Sequence, residues 1–441
     1  MFKPAVFTFL LGGIAVGCSE LPSTTDPSLS VDAAIATGKS LHVSNTAELL
    51  AALASVNPGG NIVLAPGEYQ VTSTLSVPDG TTLTGSGAMA FDPDSRLPSG
   101  FDPATRTVLK AAITLTGDVV ELGDRTSLTG LVIEDASGRS GGSAVVVHSR
   151  RAGDHVSARL EDCEIINPNS PSNSPQSVGG RALVVLTRNR ATITSEFAPE
   201  TGASVTVRMS HCIIRSPRIA GIFVNNFSPR ASTKIVLTEN VIGGGVQLTG
   251  GTSRPDAVSG SAASMESRGN LYRADAGASP FIGLQVYGAA GLPVPGLNVE
   301  PTTNNSVRLE SIDDRIEGFV NAIVARGASR PLASSSPISF NSAILELHGT
   351  KLNCIGADLN LAGAGSLVPG TWPDAGNVLS VLAQGVTGSG QRNNLYNNVA
   401  GPPITAFGEA NRLEVIGTLQ AFTSTNVGII PLPPEEFFTA F

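Results

Sequence analysis

Two short motifs take turns along most of this chain, and their fixed order limits the folds open to it. The first is a small residue followed by apolar-x-apolar: "AVVV" at 144, "ALVV" at 182, "GIFV" at 221, "GVQL" at 245, "GLQV" at 283 and "AIVA" at 322. Successive copies are offset by 38, 39, 24, 38 and 39 residues. Between them falls the second: "ARLEDCEI" at 158, "VRMSHCII" at 207, "IVLTENVI" at 235, "MESRGNLY" at 265, "VRLESIDD" at 307 and "LELHGTKL" at 345. Its first and third positions are mostly apolar and its second is often charged. That is the period-two pattern of a strand with one buried face. A repeat of this length is one supersecondary unit that buries its apolar face only by stacking on its neighbours.

Strand motifs in strict order, with few hairpin turn signals between them, place equivalent strands one above another in parallel. Stacked parallel turns close a coil. The reading is therefore an all-β chain forming a single right-handed parallel β-helix over residues 41–432, with a nine-residue tail at 433–441. Residues 88–107 stand out as an excursion loop. The segment "NTAELLAAL" (45–53) reads as a short capping helix: Asn45 and Glu48 make a capping box, and Leu49, Ala52 and Leu53 share one face. Composition agrees, since 49 Gly and 29 Pro in a 441-residue chain with 15% charged residues describe turns rather than helices.

"TAELLAAL…NPGGNIVLAPGEYQVTSTLSVPDGTTLTGSG" (46–87) and the "xLxxNxI"-type strands after it resemble the pectate-lyase-like β-helix superfamily. The resemblance implies the fold. It implies little about function, because that fold carries lyases, hydrolases, esterases, adhesins and inert scaffolds.

The N-terminus resembles a bacterial lipoprotein signal. Lys3 precedes an apolar stretch from Ala5 to Val16, and the box Ala15-Val16-Gly17-Cys18 follows, with Ala where Leu is usual. Residues 1–17 are then a signal peptide, Cys18 the lipidated residue and 18–40 a flexible tether. Simple secretion after the same small residues is the alternative. Either way the protein is exported, held at the outer membrane or cell surface by the lipid or else released. With Cys18 as anchor, Cys163, Cys212 and Cys354 remain, an odd number that cannot pair fully within one chain.

Within the second motif the sixth position reads Cys163, Cys212, Asn240, Asn270, Ile312 and Thr350, a structural ladder with a buried thiol stack at its start. Charge is distributed unevenly. Residues 148–234 hold eleven Arg/Lys and six Asp/Glu, a net of +5 inside a chain of net −8. Arg159 and Arg208 share one outward register, and Arg150, Arg151, His155, Arg188, Arg190 and His211 fall nearby, so these eight residues form the candidate ligand-binding set. A basic stripe on an acidic exported protein suits an anionic polysaccharide, while the overall charge argues against nucleic acid. The competing reading is that Glu161, Asp162 and Glu164 neutralise the stripe. The connections after each first strand (148–157, 186–206, 225–234, 249–264, 287–306 and 326–344) are further candidates, because insertions in repeat folds gather on one face.

No catalytic set is legible. Asp313-Asp314 and His348-Gly349 superficially match a hydrolase order, but the accompanying Asn-Thr-Asp and Arg-Ile-Lys elements are missing. No Asp-x-Asp-x-Asp calcium spacing, nucleophile elbow or phosphate loop occurs, and no cofactor is implied. The function expected is a non-catalytic, monomeric envelope protein that binds polysaccharide or presents a surface. A lyase (or, less favoured, a hydrolase) on acidic glycans, or a purely structural or adhesive β-helix, are the alternatives.

Overall fold

The computed structural model describes residues 40–139, 142–169, 180–188, 202–216, 221–253, 258–274, 282–291, 302–330, 338–366, 375–388, 392–400, 411–417 and 424–427. The chain divides into two compact units, residues 1–37 and 38–441. The signal segment, Cys18 and residues 433–441 lie outside the described residues.

Three long parallel sheets, of 12, 10 and 11 strands, run the length of the second unit and are called A, B and C here. The chain passes from A to B to C and back to A, so each strand pairs with its equivalents one turn earlier and one turn later. The architecture is a parallel β-helix. The pairing Ala158↔Val207↔Ile235↔Met265↔Leu309↔Leu345 carries the second motif through sheet A. Sheet A strands alternate buried and part-exposed residues, as in Ser204–Ser210 and Ser342–His348. Their inward side chains join those of the other two sheets in one continuous core from Val43 to Leu413.

The helix Thr46–Ser55 closes the first turn. Asn45 accepts the amide of Glu48 at 3.0 Å, the expected cap. The Glu48 carboxylate returns to Ser44 rather than Asn45, taking its amide at 2.7 Å and its hydroxyl at 2.9 Å. Leu49 and Ala52 are buried and Leu53 packs against the core.

The corner from A to B is made by a single residue with left-handed backbone: Asp162, His211, Glu239 and Asp313 (φ 50–54°), and Gly269 and Gly349 (φ 64° and 61°). The residue after it fills the ladder slot inside the coil. Each slot residue gives its amide to the slot side chain of the next turn: Cys212 to Asn240 (2.8 Å), Asn240 to Asn270 (2.9 Å), Asn270 to Asp314 (2.8 Å). Cys163 and Cys212 are buried, unbridged and adjacent, with the Cys163 amide 3.4 Å from Cys212 Sγ. Ile312 does not belong to this slot; it pairs with Arg268 on the sheet, and Asp314 takes its place. The frame is two residues later because Leu309, not Val307, stands on Met265.

A second ladder at the C-to-A corner was not read from the sequence. Asn305, Asn341, Asn377 and Asn411 precede successive A strands, and each amide side chain donates to the next at 3.1, 3.1 and 2.9 Å. Beside it runs a column of Gly250, Gly288, Gly327 and Gly363, where the C strands bend against the starts of A strands. A Cβ on Gly327 would lie 2.6 Å from the carbonyl oxygens of Gly363 and Val378, so no side chain fits. Residues 88–107 also prove ordered: Met89–Phe91 and Pro98–Phe101 form an antiparallel hairpin. It lies on sheet B, with Met89 and Leu97 packed against Ile213 and Val241.

Asp314 is the one carboxyl in the A-to-B ladder, fully buried and accepting from Asn270 and Ser311. Burial pushes its pKa above the ordinary 3.8. The folded chain therefore binds that proton more tightly than the unfolded chain. The group's contribution to stability is complete below about pH 3.8 and is lost as pH rises through the folded value. Asp314→Asn keeps the acceptor for Asn270 and can donate to Ser311. We expect it to raise the denaturant midpoint at pH 7 and to match the wild type near pH 3. A variant less stable than the wild type at pH 7 would mean that the slot needs a carboxylate.

Candidate functional site

The outer surfaces of the three sheets differ. Sheet A is solvated, sheet B carries the hairpin, and sheet C is buried on both sides. In Leu183–Leu186 all four residues are buried: Leu183 and Val185 belong to the coil interior, while Val184 and Leu186 join a separate cluster with Val146, Phe223 and Phe227. The outward positions of sheet C form two rows. One runs Glu121, Val146, Val184, Phe223, Gln247, Gln285, Val324, Asn360. The other runs His148, Leu186, Asn225, Thr249, Tyr287, Arg326, Ala362.

Polar chemistry collects on these rows. Glu121 Oε1 lies 3.0 Å from His148 Nε2 and accepts from Arg150 Nε and Nη2 at 3.1 and 2.8 Å. The hydrogen bond with His148, aided by the charge of Arg150, holds the Glu121 carboxyl down at about 2 against the opposing effect of burial. Arg181, two residues before its strand, lies over the Phe223 ring at 5.0 Å, and burial lowers its pKa to about 10. Further along, Asn225 and Thr249 are fully buried, yet neither amide atom of Asn225 nor Oγ1 of Thr249 has a hydrogen-bond partner. Arg326 is 6% exposed and its Nε has no acceptor. Burial also lowers the Arg326 pKa and raises that of Tyr287, and the two groups partly offset this for each other.

Unpartnered buried atoms also occur away from this row, among them Thr81 Oγ1, Thr302 Oγ1 and Arg139 Nη2. At the B-to-C corner the Asp135 carboxylate takes Arg139 Nε, Asn167 Nδ2 and the Ala136 amide, and Arg139 Nη1 donates to the Leu115 and Gly117 carbonyls. That cluster fixes a corner. Buried polar groups are hydrogen-bonded in the great majority of folded proteins, so the unpartnered atoms of Asn225, Thr249 and Arg326 in one row call for an explanation.

The residues singled out from the sequence do not converge. Arg159 and Arg208 stack in register on the outer face of sheet A, as expected. Arg159 Nη2 is 3.0 Å from Glu161 Oε2, so the neutralising partner is also in place. The same row continues with Val236, Glu266, Glu310 and Glu346, and Lys234, Arg268 and Arg308 answer these glutamates at 2.8, 3.8 and 2.8 Å. His155 begins its A strand, exposed, 2.6 Å from Ser204 Oγ. His211 sits at the far corner between Glu239 (3.0 Å) and Asp162 (3.6 Å), with the Phe91 ring edge-on at 5.5 Å. The two histidines are thus separated by the width of the sheet, roughly 20 Å at about 3.3 Å per residue. Arg150 joins Glu121 on the sheet C side, while Arg151 is exposed and gives its amide to Asp154 at 2.7 Å. Arg188 is buried beside the end of a C strand. Arg190 and Cys18 lie outside the described residues.

Glu121, Asn225, Thr249, Tyr287 and Arg326 were missed. A signal existed in the residue after each first motif: His148, Leu186, Asn225, Thr249, Tyr287 and Arg326. The Asn305–Asn411 ladder repeats one residue type, whereas this column changes type at almost every turn.

No protein-family model matches the sequence, and no curated protein matches it. Among solved structures, an alginate lyase from Paenibacillus sp. is 13% identical, with 82% of this chain and 99% of that chain covered and a TM-score of 0.32. An α-1,3-glucanase catalytic unit from Streptomyces thermodiastaticus is 14% identical over 90% and 72% of the two chains, with a TM-score of 0.31. The Dettilon tailspike protein is 13% identical, with 80% of this chain and 64% of the tailspike covered and a TM-score of 0.30. The parallel β-helix read from the sequence rests on the strand pairing of this chain itself. No residue role passes across likenesses this remote.

Glu121 gives a direct check on the electrostatics of this face. Its pKa falls from 4.5 to about 2 on folding, so its contribution to stability is present above pH 4.5 and is lost as pH drops toward 2. Glu121→Gln is expected to cost about 1–3 kcal/mol at pH 7, since the amide oxygen can still accept but the negative charge shared by His148 and Arg150 is lost. In denaturant titrations that cost should shrink to nothing near pH 2. An equal cost at both pH values would show that Glu121 acts by packing alone.

Proposed function

We propose that this chain is an exported cell-envelope β-helix that binds a polysaccharide along the outer face of sheet C without cleaving it. The observation that carries the reading is the pair Asn225 and Thr249, buried in adjacent turns with no partner for their outward polar atoms. Leaving such groups unsatisfied costs about 1–3 kcal/mol each, and sugar hydroxyls both donate and accept. The rows advance by about 4.8 Å per turn, which suits an extended ligand lying along the stack. Glu121 is not a general acid here: its Oε1 is shared by His148 and Arg150 and its carboxyl is ionised at neutral pH, so it holds no proton to give.

A second place for the ligand is the Arg159–Arg208 stack on sheet A, favoured by the stacking itself. Lyase or hydrolase activity, or a purely adhesive role, remain the competing functions. One experiment separates them: incubation of the mature protein with acidic and neutral glycans. We expect retention without cleavage. New unsaturated ends absorbing in the ultraviolet would make it a lyase, and new reducing ends without that absorption a hydrolase. Asn225→Ala with Thr249→Val should weaken binding about tenfold, at roughly 1.4 kcal/mol per decade, and Arg159→Ala with Arg208→Ala should leave it unchanged. The reverse result would move the site to sheet A.

Export and anchoring at Cys18 belong to the same proposal and rest on the charged, apolar and small-residue run ahead of it. Globomycin, which blocks cleavage before a lipidated cysteine, should accumulate the full-length precursor. A Cys18→Ala form that is processed and fractionates like the wild type would make the protein simply secreted.

A further inference from the structure

We infer that Arg326 and Tyr287 form an anion subsite in the sheet C row, taking one carboxylate or sulfate group carried by the glycan. The inference rests on the glycan-binding reading and deepens it by giving the ligand a charge and the charge a position.

Arginines on or beside this face have different surroundings. Arg150 forks onto Glu121; Arg181, whose Nε also lacks an acceptor, lies over the Phe223 ring and, like Arg188, engages further partners of its own. Arg326 is more than nine-tenths buried and its Nε finds no acceptor. Among the described residues no carboxylate acts on it; its partner in register one turn earlier is the Tyr287 phenol, which is uncharged in the neutral range. One turn later the row holds Ala362, which offers the guanidinium no acceptor. A guanidinium that has given up water without gaining an anion is a binding group awaiting one, because a buried charge is stabilised only by a partner of opposite sign. Its planar fork matches the paired oxygens of a carboxylate or sulfate, which a lysine ammonium would not.

Tyr287 completes the subsite as a donor. Burial raises the phenol pKa, so the hydroxyl keeps its proton through the neutral range and can donate to the same anion. Its hydroxyl has Ser329 as a hydrogen-bond partner and lies 3.5 Å from Gln285 Oε1, a long contact that an anion would replace. Asn225 and Thr249 stand in the same row in the two turns before Tyr287, so a sugar chain seated on them would reach Arg326 with its next units. The subsite therefore selects within a chain ligand, and the neutral part of the row holds it.

The test compares three probes by affinity electrophoresis and calorimetry: an oligouronate, the same oligomer after carboxyl reduction, and a sulfated neutral glucan. The wild type should prefer at least one charged probe over the reduced oligomer by at least about thirtyfold, as expected for a charge pair formed out of water. Arg326→Gln should lose most of that preference while still binding the reduced oligomer, and Arg326→Lys should recover only part of it. Tyr287→Phe should lower charged-probe affinity severalfold and leave the reduced oligomer unaffected. Which charged probe is preferred tells carboxylate from sulfate. Because Arg326→Gln removes a buried charge, its thermal midpoint without ligand should not fall, so a loss of binding is not a loss of fold. A wild type that binds all three probes alike, or an Arg326→Gln variant that keeps the preference, overturns the subsite and leaves the row standing. If the wild type binds none of the probes, both the subsite and the row reading fall.

Discussion

The structure depends on one constraint: each strand is hydrogen-bonded to its own equivalents, one turn below and one turn above, at a rise fixed by backbone pairing. Every side chain therefore meets the residue that occupies its position in the next turn. An apolar column becomes a core without further specification, and Val207, Ile235, Met265, Leu309 and Leu345 are such a column. A polar column inside the coil survives only if each member satisfies the next. That is why asparagine recurs at both corners: its carbonyl takes the amide hydrogen of the turn before, and its NH2 passes the bond along. Glycine recurs for the opposite reason, where the C strands bend so close to A strands that a Cβ would strike carbonyl oxygens.

The same constraint acts differently on the outside. Identical charges stacked on an outer face repel, and sheet A relieves this by diagonal pairing, with Lys234, Arg268 and Arg308 set against Glu266, Glu310 and Glu346. Exposed pairs of this kind are worth little individually, at most about 1 kcal/mol each. Their effect is to make sheet A an ordinary solvated surface, on which Arg159 with Glu161 is one more pair. Sheet B meets the constraint with the Met89–Phe91 and Pro98–Phe101 hairpin, which buries its outward Ile213 and Val241. On sheet C the outward columns are buried as well, and part of what is buried there is polar. The three faces share one backbone rule and differ only in what lies over it.

Much of this was legible in the sequence, because repetition is visible without a structure. The period, the two strand motifs, the capping helix and the thiol pair at Cys163 and Cys212 all follow from it. The misplacement of Ile312 has a local cause. "VRLESIDD" offers Val307 and Leu309 as equally good anchors for the alternation, and only the pairing of Leu309 with Met265 decides between them. The Asn305–Asn411 ladder escaped because its members sit at the ends of connections of varying length, where no strand pattern points to them. The hairpin at residues 88–107 escaped because its apolar residues, Met89 and Leu97, make sense only against a sheet surface formed by residues more than a hundred positions later.

The site was harder to see for a reason that belongs to the fold. Clustering basic residues along the sequence finds charge, but a turn of nearly forty residues spreads neighbours in sequence around three faces. Residues on one patch are instead about one turn apart. Arg150 and His211 fall within one basic window and lie on opposite sides of sheet A, whereas Tyr287 and Arg326 are 39 residues apart and adjacent. Reading down a column rather than along the chain separates the two kinds of polar residue. The Asn305–Asn411 ladder repeats its residue type, since each member satisfies a copy of itself, and the A-to-B ladder changes type only between residues that still bond to each other. The column His148, Leu186, Asn225, Thr249, Tyr287, Arg326 repeats almost nothing, so self-stacking cannot be what its polar members serve. Asn225 and Thr249 in that column are buried with polar atoms that no neighbour in the chain satisfies; under the proposed function, the successive units of a bound chain would satisfy them.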